Sequence, residues 1–312
     1  MIEILKMTKT FRLNKKDEKC ALEPFSLRIE EGEVFGLLGP NGAGKTTTIK
    51  LLSTMISPTA GDARVNGWSI VTSPANVRSS IGVSVGDERS FYFRLSGFQN
   101  LQFFGAIRGL PQRELNNRIL ELLDRMNLTD AKNLMYMKYS SGMKRKLNLS
   151  RALLGDPPVY FLDEPTSGVD PHSARDLRDI VRELKRRRKT VLITTHNMSE
   201  AEQLCERIAI LNKGKIVVIS TPKELSEKAN RWRVDIWFLD GFLPYLERLK
   251  GKSLAREVTV EGNRCSLITS DKVALFGELF SSLNWTAQLI RDIKIVEPSL
   301  EDIFVEYTEA GA

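Results

Sequence analysis

Along the first two-thirds of the chain, short apolar runs alternate with longer amphipathic stretches, the pattern of a mainly parallel sheet covered by helices. Three runs, Val34–Leu38, Val159–Leu162 and Val191–Thr195, are apolar or β-branched and stop abruptly at polar residues. Strands that end this way set polar groups at the carboxyl edge of an open α/β sheet, where ligands collect. Lys45–Ser53, Met143–Leu154 and Ala174–Leu184 read as helices. A polar, helix-rich stretch from about 90 to 155, containing LQFFGAIRGL and ELNNRILELLDRMNL, predicts an inserted helical lobe. Ile208–Leu211, the turn LNKGK and Ile216–Ser220 predict a hairpin, and STPKEL marks a boundary near Pro222.

Beyond Pro222 the texture changes. Arg233–Leu239, Glu257–Glu261, Arg264–Thr269 and Ala287–Val296 alternate as strands, while Phe242–Lys250 and Asp271–Leu283 read as helices. The order βαββαβ predicts a small α+β, ferredoxin-like domain. A last helix follows, opening on a capping-box-like Ser299-Leu-Glu-Asp302. The expected division is therefore 1–222 and 223–312. No nucleotide or metal motif stands in the second part, which reads as an accessory or regulatory domain.

Composition narrows the class without choosing a function. A chain of 312 residues suits about two domains. With 42% hydrophobic and 27% charged residues, collagen-like, coiled-coil and wholly disordered readings are excluded. No run of about 18 apolar residues occurs, and MIEILKMTKTF lacks the apolar core of a secretory signal, so the chain is expected not to cross a membrane by itself. Cys20, Cys205 and Cys265 are odd in number and far apart, which argues against a disulfide framework and for a reducing cytoplasm. The net charge of +7 suits nucleic acid, an anionic membrane face or phosphate compounds alike.

Motifs decide among these. Gly39-Pro40-Asn41-Gly42-Ala43-Gly44-Lys45-Thr46, followed by Thr47, matches GxxxxGK[ST] directly after a strand and before a helix. The glycines let successive backbone N–H groups turn toward phosphate oxygens. Lys45 adds charge, the helix N-terminus adds its dipole, and the Thr46 hydroxyl is placed to ligate Mg²⁺. The loop leaves ATP and GTP open. Val159–Leu162 runs into Asp163-Glu164, two carboxylates that point different ways at a strand end. Asp163 suits a metal, and Glu164 suits an attacking water. The other reading of such a pair is a carboxylate at a helix N-terminus.

At this point the sequence resembles the ATP-binding cassette (ABC) family over about residues 1–220. Tyr139-Ser140-Ser141-Gly142-Met143-Lys144 is similar to the LSGGQ signature, Pro165-Thr-Ser-Gly-Val-Asp170 to the D-loop, and Val191-Leu-Ile-Thr-Thr-His196 to the strand carrying the switch histidine. The Ser220-Thr-Pro222 and Pro298-Ser-Leu-Glu-Asp-Ile-Phe segments look like the export ATPases of drug, lipid and polysaccharide transporters whose membrane subunit is a separate chain.

The resemblance implies a P-loop NTPase cassette, a mixed sheet with a helical lobe, that binds Mg²⁺ and hydrolyses ATP. It implies a head-to-tail homodimer or heterodimer that sandwiches two ATP molecules. Ser140, Ser141, Gly142 and Met143 of one subunit would close on the γ-phosphate held by the other. Glu164 and His196 would be catalytic, Thr46 and Asp163 metal-binding, Asp170 the D-loop carboxylate, and Phe11 the ring stacked on adenine. A core aromatic is the alternative for Phe11, and a buried, satisfied imidazole for His196. The partner would be an integral membrane permease, and the location the cytoplasmic face of the membrane.

The sequence departs from the family in two places. Where a glutamine normally follows the strand Ile81–Val85, this chain has Gly86-Asp87-Glu88-Arg89. Asp87 is assigned the metal-facing place, with Glu88 the rival, because a carboxylate is a strong Mg²⁺ ligand. Gln99 lies too far along to substitute. Met143 also stands where a glutamine is usual. Arg89, Phe91, Tyr92 and Phe93 are candidate contacts in a docking groove made by the lobe and the stretch Asp87–Leu101, or else core. Lys185-Arg-Arg-Arg-Lys189 reads as a solvated helix end complementing the dipole, and no nucleic acid is expected. A soluble cassette ATPase acting on ribosome or DNA, and a nucleotide-gated binding module, are the rival functions.

Overall fold

The computed structural model describes residues 1–12, 14, 17–85, 91–228, 232–239, 257–271, 273–277, 290–296 and 300–309. The chain forms two compact units, Met1–Thr221 together with Tyr307–Ala312, and Pro222–Glu306.

The first unit is built on a six-stranded sheet of order β10-β9-β3-β8-β7-β6. Here β3 is Val34–Leu38, β6 Ile81–Ser84, β7 Val159–Asp163, β8 Thr190–Thr195, β9 Arg207–Asn212 and β10 Lys215–Ser220. All neighbours pair in parallel except β9 and β10, which form the expected hairpin around Lys213 and Gly214. Every residue of β3, β7 and β8 is buried, which explains why these strands read as unbroken apolar or β-branched runs.

A second sheet of the same unit was not foreseen. It is antiparallel, of order β2-β1-β4-β5, with β1 Ile2–Arg12, β2 Glu18–Ile29, β4 Ala60–Val65 and β5 Trp68–Ser69. Ile2, Ile4, Leu22 and Ile29 of this sheet share one core with Phe35, Leu37, Phe161 and Leu211 of the first sheet and with Ile49, Leu51 and Leu52 of helix α1 (Lys45–Leu52). The helix behind the phosphate loop is thus packed from both sides, and the loop has a rigid backing.

A short helix α2, Pro74–Ser79, leads into β6. The lobe contains α3 Gly97–Ile107, α4 Gln112–Arg125 and α5 Ser141–Leu153. Gln99 has a structural use here. It completes a capping box, its N–H donating to Ser96 Oγ at 3.1 Å while its Oε1 accepts from the Ser96 N–H at 2.9 Å. Phe91 is buried and stacks on Tyr136 at 4.8 Å, so it is core rather than an exposed contact. Tyr92 and Phe93 are exposed, and Arg89 lies outside the described residues. Helix α6, Pro171–Arg186, buries Ala174, Leu177, Ile180, Val181 and Leu184 at helical spacing, and α7 spans Met198–Leu204. At the end of α6 the basic run is partly neutralised: Lys185 meets Glu206 at 2.7 Å, and Arg187 and Lys189 both meet Asp156.

In the second unit α8 is Pro222–Lys228, and the strands are β11 Trp232–Phe238, β12 Glu257–Glu261, β13 Arg264–Thr269 and β14 Ile290–Val296. They pair antiparallel in the order β12-β13-β11-β14, the arrangement a split βαβ unit produces. Val234, Ile236, Phe238, Cys265 and Leu267 form its core with Leu275. Residues 273–277 are helical, and α9 is Leu300–Glu309. The expected helix Phe242–Lys250, the rest of Asp271–Leu283 and Ser299 lie outside the described residues.

The seam between lobe and sheet is tight at Gly82 of β6. A Cβ there would lie 2.4 Å from the carbonyl oxygen of Ala152 in α5 and 2.8 Å from the Tyr160 ring. Gly82→Ala should therefore destabilise the first unit by about 1–3 kcal/mol, the usual range for overpacking. A lower denaturant midpoint in urea unfolding is the expected result.

Candidate nucleotide site

Three strands deliver the site. In the parallel register Leu38 pairs with Thr195 and Thr194 pairs with Asp163, so β3, β8 and β7 end at one level. The phosphate loop leaves β3, His196 follows β8, and Glu164 follows β7. Gly44 is the N-cap of α1 at φ 113°, a backbone conformation open to glycine. A Cβ on it would approach Leu22 Cδ2 to 2.6 Å and the Ala21 carbonyl to 2.9 Å. Ala43 is buried, and its N–H donates to the Pro40 carbonyl at 3.2 Å, so its contribution is to the shape of the loop.

Lys45 is only 5% exposed. Its Nζ donates to the carbonyls of Gly39 at 2.6 Å and Pro40 at 3.2 Å and lies 3.3 Å from Glu164 Oε1. The other Glu164 oxygen lies 3.2 Å from His196 Nδ1, and the imidazole is half exposed rather than sealed in the core. Glu164 stands at φ 46° with its N–H donating to the Thr194 carbonyl at 3.0 Å. It is six residues short of Asp170, which caps α6, so it is not a helix N-terminal carboxylate. Asp163, buried, accepts from Thr194 Oγ1 at 2.5 Å and from Thr46 Oγ1 at 2.9 Å.

A cleft of about 480 Å³ opens above this set. Phe11, Pro40, Asn41, Gly42, Gly44, Lys45, Thr46, Thr47 and Glu164 all line it. Phe11 is 37% exposed with Lys9 Nζ 5.0 Å from its ring, a surface position rather than a core one. Lys19, Cys20, Ala21 and Lys213 also line the cleft and were not anticipated. The register of β2 on β1 brings in the first of these, setting Lys19 opposite Phe11, and no local motif signals it.

The signature residues sit elsewhere. Ser140 caps α5, accepting from the Met143 N–H at 3.2 Å, and none of residues 139–144 lines the cleft. They neighbour the D-loop instead, since a Cβ at Gly142 would lie 3.8 Å from Asp170 Oδ2. The Ser173 N–H, donating to Asp170 Oδ1 at 2.9 Å, is the main influence holding the Asp170 carboxyl below the usual range. His172 is exposed, beside Asp176. Asp87 and Glu88 lie outside the described residues.

Residues 22–167 match the family model described as ABC transporter. The daunorubicin resistance ATP-binding protein DrrA2 of Streptomyces coeruleorubidus is 35% identical, over 93% of this chain and 91% of the relative. The chain belongs to the ABC transporter ATP-binding family. The ABC transporter ATP-binding protein NatA of Bacillus subtilis is 37% identical, over 73% of this chain and 92% of its own. A dimeric ATP-binding cassette solved in a post-hydrolysis state with ADP and Pi has the same fold, with a TM-score of 0.66 at 24% identity over 71% of this chain and 98% of the other. A solved ATP-binding subunit of an ABC transporter gives 0.64 at 26% identity, over 73% and 92%. This ABC subunit is thus an ATPase, built on the α/β P-loop cassette fold that the sequence predicted.

Because Gly44 combines a positive φ with close packing, Gly44→Ala should cost the cassette about 1–3 kcal/mol of backbone strain. The rise in Tm that ATP produces in the unaltered protein should shrink or vanish in the variant. Differential scanning fluorimetry with and without ATP measures both effects.

Proposed function

We propose that this ATPase powers an exporter as one half of a head-to-tail dimer, driving an integral membrane permease from the cytoplasmic face of the membrane. The observation that carries the catalytic part is Glu164, held between Lys45 at 3.3 Å and His196 at 3.2 Å at the ends of adjacent strands. The names of the drug-resistance relatives support export. The signature supports the dimer: Ser140 and Ser141 are exposed, and no signature residue lines the chain's own cleft, so a second copy or a related cassette would supply it there.

In this reading Phe11 stacks on adenine and the loop from Gly39 to Thr47 wraps the phosphates. Lys45 exchanges its contact with Glu164 for the β- and γ-phosphate oxygens. The freed Glu164 carboxylate orients the attacking water and takes its proton, while His196 holds the γ-phosphate. Ser140, Ser141, Gly142 and Met143 of the partner close the far side, and Asp170 crosses beside them. Thr46 and Asp163 fit a magnesium site: a hydroxyl and a buried carboxylate already 2.9 Å apart are hard oxygen donors, and phosphate oxygens would complete the set. Asp87 would join them. Bound Mg²⁺ supplies neutralisation of the charge on the phosphates.

Residues 1–222 form the cassette and 223–312 a ferredoxin-like accessory domain. Among the described residues no helix is long and apolar enough to cross a membrane. A groove of about 760 Å³ lined by Met55, Ile81, Val83, Phe104, Ile107 and Arg78 is a candidate seat for a cytoplasmic segment of the permease, and none of the residues of Asp87–Leu101 lines it.

Glu164→Gln should retain ATP binding, accumulate as a dimer with ATP on size-exclusion chromatography, and lose at least about 100-fold in turnover; turnover near the unaltered rate would refute the base assignment. Asp87→Ala should weaken the Mg²⁺ dependence of ATPase activity. An unchanged Mg²⁺ titration would remove Asp87 from the site.

A further inference from the structure

Glu200 lies in the first turn of α7 and is 1% exposed. Its Oε1 accepts a hydrogen bond from the Thr166 hydroxyl at 2.8 Å, while Oε2 is enclosed with no hydrogen-bond partner among the described residues. Burying a carboxylate is costly, and leaving one of its oxygens unpaired adds to the cost. An apolar residue of similar volume would avoid both. The dipole at the start of α7 offsets part of that cost but does not explain why one oxygen is left unpaired.

What Glu200 holds accounts for its presence. Thr166 stands two residues after Glu164, and Glu200 stands four after His196. The Thr166–Glu200 bond closes a ring that runs from Glu164 to Thr166, across to Glu200, back along the chain to His196, and home through the 3.2 Å contact between His196 and Glu164. Glu164 needs such restraint, because φ 46° is a conformation that glutamate adopts only where its surroundings fix it. Thr194 and Arg145 fix its own peptide groups, the first accepting from its N–H and the second donating to its carbonyl at 3.0 Å. Glu200 restrains the chain on the far side of the turn.

We infer that Glu200 is a positioning residue for ATP hydrolysis: acting through Thr166, it keeps the Glu164 carboxylate aligned with His196 and with the phosphate side of the cleft. The inference rests on the reading of Glu164 as the residue that orients water. It requires that losing the bond lower kcat, since a misplaced base slows chemistry by up to about 100-fold while nucleotide contacts made by the phosphate loop persist.

The test is steady-state ATPase activity of the full chain, with kcat and KM for ATP measured separately. Thr166→Ser, which keeps the hydroxyl, should stay within about twofold of the unaltered protein, whereas Thr166→Val should lose about tenfold or more in kcat with KM changed less than about twofold. Glu200→Leu should match Thr166→Val, Glu200→Gln should fall between, and the double variant Thr166→Val with Glu200→Leu should be no slower than the slower single one. Full kcat in Thr166→Val, or losses that multiply in the double variant, would overturn the inference. Thr166 is half-buried on a turn, so its variants keep the test alive if Glu200→Leu fails to fold. An inactive Glu164→Gln beside a fully active Thr166→Val would sink the positioning role alone. An active Glu164→Gln would sink the assignment of the base beneath it.

Discussion

The site depends first on the parallel ladder that joins β3, β8 and β7. Those hydrogen bonds set Leu38 beside Thr195 and Thr194 beside Asp163, so three unrelated polar segments begin at the same height. A slip of one residue in any strand would turn its side chains to the opposite face and separate the groups. Both faces of these strands are buried, so burial alone does not choose the register. Close packing at single positions does: a Cβ at Gly36 of β3 would lie 2.8 Å from Cys205 Sγ, and one at Gly82 of β6 2.4 Å from the Ala152 carbonyl, so a side chain slipped into either place would clash.

Charge balance explains how Lys45 can lie so deep in the site. A lysine as enclosed as Lys45 would be costly unpaired. Two carbonyls and one carboxylate offset that cost, and Glu164 is shared with His196. Lys45 and Glu164 thereby hold each other in place. Asp163 is different, since it is fixed by hydroxyls from Thr46 and Thr194 and has no cation of its own among the described contacts. The two adjacent carboxylates therefore have distinct surroundings, which their positions on successive residues of a strand end made foreseeable.

Legibility followed the range of the interactions. The buried strands, the hairpin at Lys213–Gly214, the cap at Ser140 and the phosphate loop are local patterns, and all were visible in the sequence. The antiparallel sheet was not: β1 departs from strict alternation, with register shifts between Ile4 and Met7 and again between Met7, Lys9 and Thr10, which blur the period-2 signal. Lys19 and Cys20 reach the cleft through that sheet, and so escaped notice for the same reason. Phe91 suits surface or core equally in the sequence, and the rings of Phe104 and Tyr136 that pack on it decide for core. Arg145 and Glu200 touch the loop after β7 from helices whose sequence patterns give no hint of it.

Helix α5 shows why such long-range contacts bear on mechanism. Its N-terminus displays the signature residues beside Asp170. One turn further, Arg145 donates to the Glu164 carbonyl, and Asn148 donates to the Val85 carbonyl at 2.7 Å, just before residues 86–90. Its last turn packs on Gly82 with no room for a methyl group. One rigid helix of 13 residues thereby contacts the signature region, the peptide of Glu164 and the strand that leads to Asp87. Because packed elements move as units rather than deforming, α5 cannot shift at one of these points and leave the other two in place.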